Sequence, residues 1–226
     1  MNARVSFLFG RAIPLGVFGF LVAIQAELAI AGIQHASIQH AAGTLIDRGE
    51  AMYLLNRVLT LAFFGFLLLI YMVRSRAIAS DHNLIAITAA MTGSFILYAL
   101  WLFPGGPSSS DLLLLAASDM LLACGMVWAI YSLTYLGRRF SIVPEARGLV
   151  TSGPYRFARH PIYLGEIAAG LGLVLPTILT VHLAVFAVFL GAQLVRTFYE
   201  ERVLRRAFPE YAAYASRTRR LIPFVL

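Results

Sequence analysis

Six apolar runs, each close to the length that crosses a bilayer, are spread along this chain of 226 residues and leave little sequence between them. A membrane helix needs about 20 mostly apolar residues. Residues 12–33 meet that need with Gln25 and Glu27 inside, and residues 52–73 meet it cleanly. Residues 83–103 end on Pro104-Gly105-Gly106-Pro107, a strong helix break. Residues 111–136 follow Ser108-Ser109-Ser110-Asp111, a good N-cap run. The last two runs, 161–176 and 178–199, join at Leu175-Pro176-Thr177 as a hairpin whose first arm is short. The expected fold is therefore all-α: a polytopic integral membrane helical protein of about six segments, or four plus a tilted hairpin. An interfacial helix is expected over 201–216, where Leu204, Phe208 and Tyr211 recur at helical spacing with arginines opposite.

Composition points the same way. Sixty per cent of the residues are hydrophobic and only 13% are charged, against about 25% charged in soluble domains. One soluble core cannot bury that much apolar surface. The net charge of +7 comes from arginine alone, since the chain has no lysine. Nucleic acid is a poor account of it, because the arginines fall at the ends of apolar runs. The lone Cys124 excludes an intramolecular disulfide and reads as a core filler inside an apolar run. The first run is too long for a signal-peptide core and ends on no clear cleavage site, so it reads as a membrane segment.

Arginine placement sets an orientation. Arg4 and Arg11 precede the first run, and the loop 34–51 carries only Arg48, beside Asp47 and Glu50. Arg74 and Arg76 follow the second run, and the loop 104–110 has none. Residues 137–160 carry Arg138, Arg139, Arg147, Arg156 and Arg159, and the tail carries Arg202, Arg205, Arg206, Arg217, Arg219 and Arg220. The alternation puts both termini on the cytoplasmic side of an integral membrane protein, a cell inner membrane in a bacterium.

Two polar knots on that side could carry chemistry. The first is residues 148–166, GLVTSGPYRFARHPIYLGE, rich in turn-formers and carrying Arg156, Arg159, His160, Tyr155, Tyr163 and Glu166. Pro161 holds His160 extended and starts a helix whose first N–H groups suit an anion. The second is Arg196-Thr-Phe-Tyr-Glu200-Glu201, with Arg196 and Glu200 four apart on one helix face. Residue types alone leave two readings open. One is an ordinary interfacial loop plus an intrahelical ion pair. The other is a pair of knots closing on one zwitterionic ligand, with Glu201 pointing away into solvent. Glu27, Asp119 and Glu166 are costly in lipid and imply a cavity or partner. His182 reads as interfacial. His35 and His40 fall in an outer loop without the ligand spacing of a metal site. Gly170 and Gly172 read as close helix packing.

The pattern GLV-T-x-GPY-x-x-x-RHP-x-Y-x-G, followed by R-x-x-x-EE-x-x-L-x-x-x-FP-x-Y-x-x-Y and a late R-x-x-P, resembles the isoprenylcysteine carboxyl methyltransferase family. Phospholipid methyltransferases share its broader superfamily. The resemblance covers about residues 140–223. The apolar runs and the lack of any repeat read as one membrane domain over 1–226 with four transmembrane helices in 1–136, and the resemblance makes 137–226 a methyltransferase-like cofactor region. It further implies S-adenosylmethionine as cofactor, held by Arg147, Gly148, Leu149, Val150, Tyr155, His160, Pro161, Ile162, Tyr163 and Glu200. Arg196 falls on the family's acceptor-orienting arginine. A lipophilic or prenylated acceptor, small molecule or protein, would enter from the bilayer. Thr197-Phe198-Tyr199 stands where family members often carry more acidic residues, which bears on the acceptor pocket. Within the wider resemblance stand a phospholipid N-methyltransferase and a sterol-type NADPH reductase; a non-enzymatic membrane subunit is the bland alternative.

Overall fold

The computed structural model describes residues 7–41, 48–81, 83–103, 111–177 and 180–221. The chain divides into two compact units, Asn2–Arg74 and Ser75–Leu226. Arg4, Asp47, the Pro104–Ser110 break and Pro223 lie outside the described residues.

The first unit is a helical pair. A short π-helical turn, Leu8–Ala12, leads into α1 (Ile13–Ala41), which packs against α2 (Arg48–Val73). The Phe18 and Tyr71 rings meet edge-on at 5.4 Å between centroids. Buried Gln25 accepts a hydrogen bond from Arg57 at 3.3 Å, so a polar group in an apolar helix is satisfied by its neighbour. The helix α1 runs past the expected loop boundary and carries His35 and His40 with it. Residues 34–41 hold no glycine or proline to stop it, and Ser37 bonds back to the Gln34 carbonyl at 2.8 Å. Glu27 stands on the exposed face of α1.

The second unit holds the remaining elements. A two-residue strand β1 (Ala79–Ser80) pairs antiparallel with β2 (Glu145–Ala146), Ala79 opposite Ala146 and Ser80 opposite Glu145. Helix α3 (Leu84–Phe95) is capped by Asn83, whose side chain accepts from the Ile85 N–H. It tightens into a 3₁₀ helix over Ile96–Leu102, so the run expected over 83–103 is one α-helix plus one narrower turn. Helix α4 (Leu112–Leu136) starts on Asp111, which caps Leu113 N–H at 2.9 Å as its position in the sequence implies. Helices α5 (Pro161–Val174), α6 (Thr180–Ala207) and α7 (Tyr211–Arg217) complete the chain.

Helices α4 and α5 are pressed together through glycine. A Cβ on Gly125 would lie 2.6 Å from the Gly165 carbonyl, and one on Gly172 would lie 2.7 Å from the Ser118 carbonyl. The approach is sealed by a hydrogen bond from the buried Ser118 hydroxyl to the Gly172 carbonyl at 2.5 Å. Small residues at a helix interface permit such backbone contact. In α6 the helix continues through Ala207 instead of yielding to an interfacial helix at 201; Pro209 stops it, and only Tyr211–Arg217 forms the separate short helix.

Among the described residues three helices are long and apolar enough to cross a membrane: Leu8–Ile38, Leu112–Arg139 and Val181–Ala207. Arg57–Val73, Leu84–Leu100 and Pro161–Val174 are apolar but shorter. The protein is thus an integral membrane helical protein. Two side chains sit otherwise than their neighbours in sequence imply. Cys124 faces outward from α4 and fills no core, and His182 is buried where an interfacial position was expected. Asp119 also faces outward.

Candidate functional site

The β1–β2 pairing anchors the loop that follows it. Ile78 N–H donates to the Ala146 carbonyl at 2.7 Å and Asp81 N–H to the Pro144 carbonyl at 3.0 Å. The Arg147 guanidinium pairs with Glu145 at 2.6 Å and also donates to the Ser75 carbonyl. Ser141 donates to the same Glu145 carboxylate at 2.6 Å. These bonds fix the backbone of Arg147–Val150 along one wall of a cleft. At Gly148 the Arg139 side chain lies against the bare backbone, 2.5 Å from where a Cβ would stand. At the next turn Gly153 takes a left-handed φ of +59°, and its missing side chain leaves room for the Tyr135 ring.

The opposite wall is held from behind by the C-terminal segment. Arg159 N–H donates to the Arg219 carbonyl at 2.8 Å and His160 N–H to the Arg220 carbonyl at 3.0 Å. Tyr214 donates to the Tyr155 carbonyl at 2.6 Å. The 3₁₀ turn Gly153–Arg156 and the extended residues up to His160 are thereby strapped down before Pro161 opens α5.

Facing them, α6 brings Glu200 and Glu201 to the two sides of His160. Glu200 Oε2 lies 3.6 Å from His160 Nδ1, and Glu201 Oε1 lies 3.5 Å from Nε2. Tyr163 donates its hydroxyl to Glu200 Oε1, and its ring stacks on the His160 imidazole at 5.4 Å, 2° from parallel. Burial disfavours the imidazolium, but hydrogen bonding and charge from Glu200 and Glu201 outweigh it, so the His160 pKa is raised above 6.5. Burial pushes the Tyr155 phenol well above its usual range, helped by the Glu200 charge, and pushes Tyr214 up to about 12. Both stay protonated, and Tyr214 serves as a donor.

Glu201 does not point into solvent. Its side chain is only 4% exposed. It accepts from Arg159 Nε at 2.8 Å and from Arg220 Nε at 3.0 Å, with Arg205 at 3.7 Å. A carboxylate placed among three guanidinium groups and an imidazole is a buried ionic hub that ties α6 to the His160 loop and the C-terminal segment. Adjacent Glu200 is 21% exposed and opens on the cleft.

Arg196 is 2% exposed. Its guanidinium lies over the Tyr163 ring at 4.4 Å, donates to Gln193 at 2.8 Å and reaches the Ile142 carbonyl at 3.3 Å. Gln193 in turn donates to Glu166. Gly93 of α3 makes room for this, since a Cβ there would touch Arg196 at 2.9 Å.

The cleft is small and partly open, with a cavity volume of about 90 Å³. Arg147, Gly148, Leu149, Val150, Tyr155, His160, Ile162, Tyr163 and Glu200 line it. Pro161 and Arg196 do not; the first is buried at the helix start and the second stands behind the Tyr163 ring. Tyr214, the last tyrosine of the second motif, lines the cleft too, as do Arg139, Ser141 and Glu145, which stand in neither motif. Only a lone polar residue near a turn marks Arg139, Ser141 and Glu145 in the sequence.

Residues 113–211 match the family model of phospholipid methyltransferases. That stretch holds most of the residues that line the cleft. The chain is also 37% identical over 113 residues to the cobalt-zinc-cadmium resistance protein CzcN of Cupriavidus metallidurans, covering 47% of this chain and 50% of that protein. It is 37% identical over 78 residues to the nickel-cobalt-cadmium resistance protein NccN of Alcaligenes xylosoxydans xylosoxydans, covering 33% of this chain and 36% of that protein. The chain thus spans half the length of the first relative and about a third of the second.

Proposed function

We propose that this chain, whose residues 113–211 match the phospholipid methyltransferase family, is an integral membrane methyltransferase. It uses S-adenosylmethionine and acts on a lipophilic acceptor, best fitted by the carboxylate of an isoprenylcysteine-like molecule. The observation that carries this is convergence: the loop Arg147–Val150, the turn at Tyr155, the start of α5 and Glu200 of α6 face one cleft.

The donor groups fit such a cofactor. Glu200 offers a carboxylate at the cleft surface, already oriented by Tyr163, to an ammonium group. A raised His160 pKa offers a positive donor to a carboxylate or hydroxyl beside it. Leu149, Val150, Ile162 and the Tyr155 ring give an apolar wall for a flat base. When bound, the cofactor supplies an electrophilic methyl group on a sulfonium. An acceptor carboxylate is ionised beforehand, so no general base is required, and the protein's task is alignment, which supplies about 7–11 kcal/mol in favourable cases. Arg196 is assigned to the acceptor, with its planar fork suited to a carboxylate.

The arginine distribution supports six membrane segments with the cleft facing the cytoplasm, α5 and α6 forming the final hairpin. The resistance named for the relatives would, in this chain, be a consequence of modifying a membrane component. Calorimetric titration of the purified protein with S-adenosylmethionine and, separately, NADPH tests the cofactor. Heat with NADPH alone overturns the reading. Methyl transfer to a farnesylated cysteine set against phosphatidylethanolamine then tests the acceptor.

A further inference from the structure

On the outer side of the Glu201 hub lies a second concavity, lined by Phe198, Glu201, Arg202, Arg205, Arg206 and Arg220. None of these residues lines the cleft. Phe198, Arg202, Arg205 and Arg206 are spaced so that they share one face of α6, and Arg220 joins them from the C-terminal segment.

The charges do not balance. Four arginines meet one carboxylate, and Glu201 is already occupied by Arg159 at 2.8 Å and Arg220 at 3.0 Å. Arg205 is 53% exposed and 3.7 Å from Glu201. Arg202 is 51% exposed, lies over the Tyr199 ring at 4.9 Å and stands 4.0 Å from Asp81. Arg206 is exposed and makes no ion pair among the described residues. Pairs this long and this exposed contribute little, so the guanidinium groups remain available to a stronger anion.

The placement narrows what that anion is. The arginines end the apolar helix Val181–Ala207, and Phe198, 57% exposed, stands one turn before them on the same face. An aromatic side chain at chain depth with arginines just beyond it is the arrangement that meets an acyl chain and its headgroup together. Planar forks suit phosphate bidentately. We propose that this concavity binds the phosphate of an anionic phospholipid, a lipid that is not the methyl acceptor and that steadies the C-terminal segment against α6. The proposal rests on α6 spanning the membrane, not on the identity of the cofactor.

Native mass spectrometry of the full-length protein, released from detergent with mixed phosphatidylglycerol and phosphatidylcholine, tests it. Phosphatidylglycerol should be retained preferentially, and Arg202→Gln/Arg205→Gln/Arg206→Gln should lose about fivefold in that preference for each arginine removed. Calorimetry with S-adenosylmethionine should be unchanged in Arg202→Gln/Arg206→Gln, which leaves the Glu201 hub intact. Should the triple variant not fold, Arg206→Gln, which removes an exposed side chain, carries the same comparison with its single step. Equal retention of the two lipids, or a preference untouched by the substitutions, overturns the proposal. So does displacement of phosphatidylglycerol by inorganic phosphate or glycerol phosphate at equal concentration, which would mark a free-anion site, or an acidic peptide binding better than the lipid.

Discussion

Tyr163 donates its phenolic hydrogen to Glu200 while its ring lies stacked on His160 and beneath the Arg196 guanidinium. One side chain thus joins the two polar knots of the sequence. It also fixes one oxygen of Glu200, leaving the other directed toward His160 Nδ1 at 3.6 Å. The carboxylate is therefore oriented before any ligand arrives, which lowers the ordering cost of binding.

Glu200→Gln should weaken S-adenosylmethionine binding by about 1.5–3 kcal/mol, the range for a hydrogen bond to a charged group. Tyr163→Phe should weaken it less, because the carboxylate survives and only its orientation is lost. Calorimetric dissociation constants for the two variants check this ordering. Equal affinities in the wild type and Glu200→Gln would reduce Glu200 to a structural partner of Tyr163.

Glu201→Gln should act on stability before it acts on binding. The substitution leaves Arg159 and Arg220 beside a neutral amide in a site where the side chain is 4% exposed. Breaking a buried ion pair costs about 3–5 kcal/mol; the partial exposure of Arg220 places the expected loss toward the lower end. Thermal unfolding in detergent should show a larger drop for Glu201→Gln than for Glu200→Gln. The reverse order would show that the hub is not what holds the C-terminal segment.

The contrast between these neighbours shows what the sequence discloses and what it hides. Asp111 could be read as a helix cap because capping depends on residues two or three positions away. Arg147–Val150, His160 and Glu200 could be picked out because their spacing follows a family pattern. Glu201 stands in the same pattern, but its structural role could not be read there, because its partners are 42 and 19 residues away and its burial depends on how the tail folds back. The same holds for the 3₁₀ turn over Ile96–Leu102 and for the length of α6. Hydropathy registers that a segment is apolar, but not which apolar residues face protein and which face lipid, as outward-facing Cys124 shows.

Stability should also carry a pH dependence from His160. Its folded pKa is raised above 6.5. A raised value means that the contribution is fully present below the unfolded value and is lost as the pH rises through the folded one. The wild type should therefore lose stability relative to His160→Gln on passing through that upper window. Unfolding midpoints of the two proteins measured on both sides of it provide the check. Parallel curves would mean that His160 is neutral in the folded protein.

Gly165→Ala should separate α4 from α5, since the new Cβ would stand 2.6 Å from the Gly125 carbonyl and 2.7 Å from Ala129 N. Overpacking of this kind costs about 1–3 kcal/mol, and neither backbone can move aside cheaply. Gly191→Ala, in α6, meets nothing within 4 Å and should be neutral or slightly stabilising. Unfolding of the pair side by side gives the answer: similar midpoints would contradict the packing described for α4 and α5.

In the proposed reaction Arg196 belongs to the acceptor and not to the cofactor. It stands behind the Tyr163 ring and does not line the cleft, so Arg196→Ala should leave cofactor affinity within a few fold. Turnover at saturating cofactor should fall much further. Part of any loss will be structural, because Gln193 and the Ile142 carbonyl lose a buried partner, at about 1–3 kcal/mol for a group left unsatisfied. Arg196→Lys isolates the rest. Lysine keeps the charge and much of the packing but loses the planar fork that grips a carboxylate with two parallel bonds. With a farnesylated cysteine as acceptor, Arg196→Lys should be nearly as inactive as Arg196→Ala while binding the cofactor normally. Substantial turnover by the lysine variant would make Arg196 a counter-charge only. Parallel loss of binding and turnover in both variants would instead make it a support for Tyr163, and the acceptor would have to be oriented by other residues.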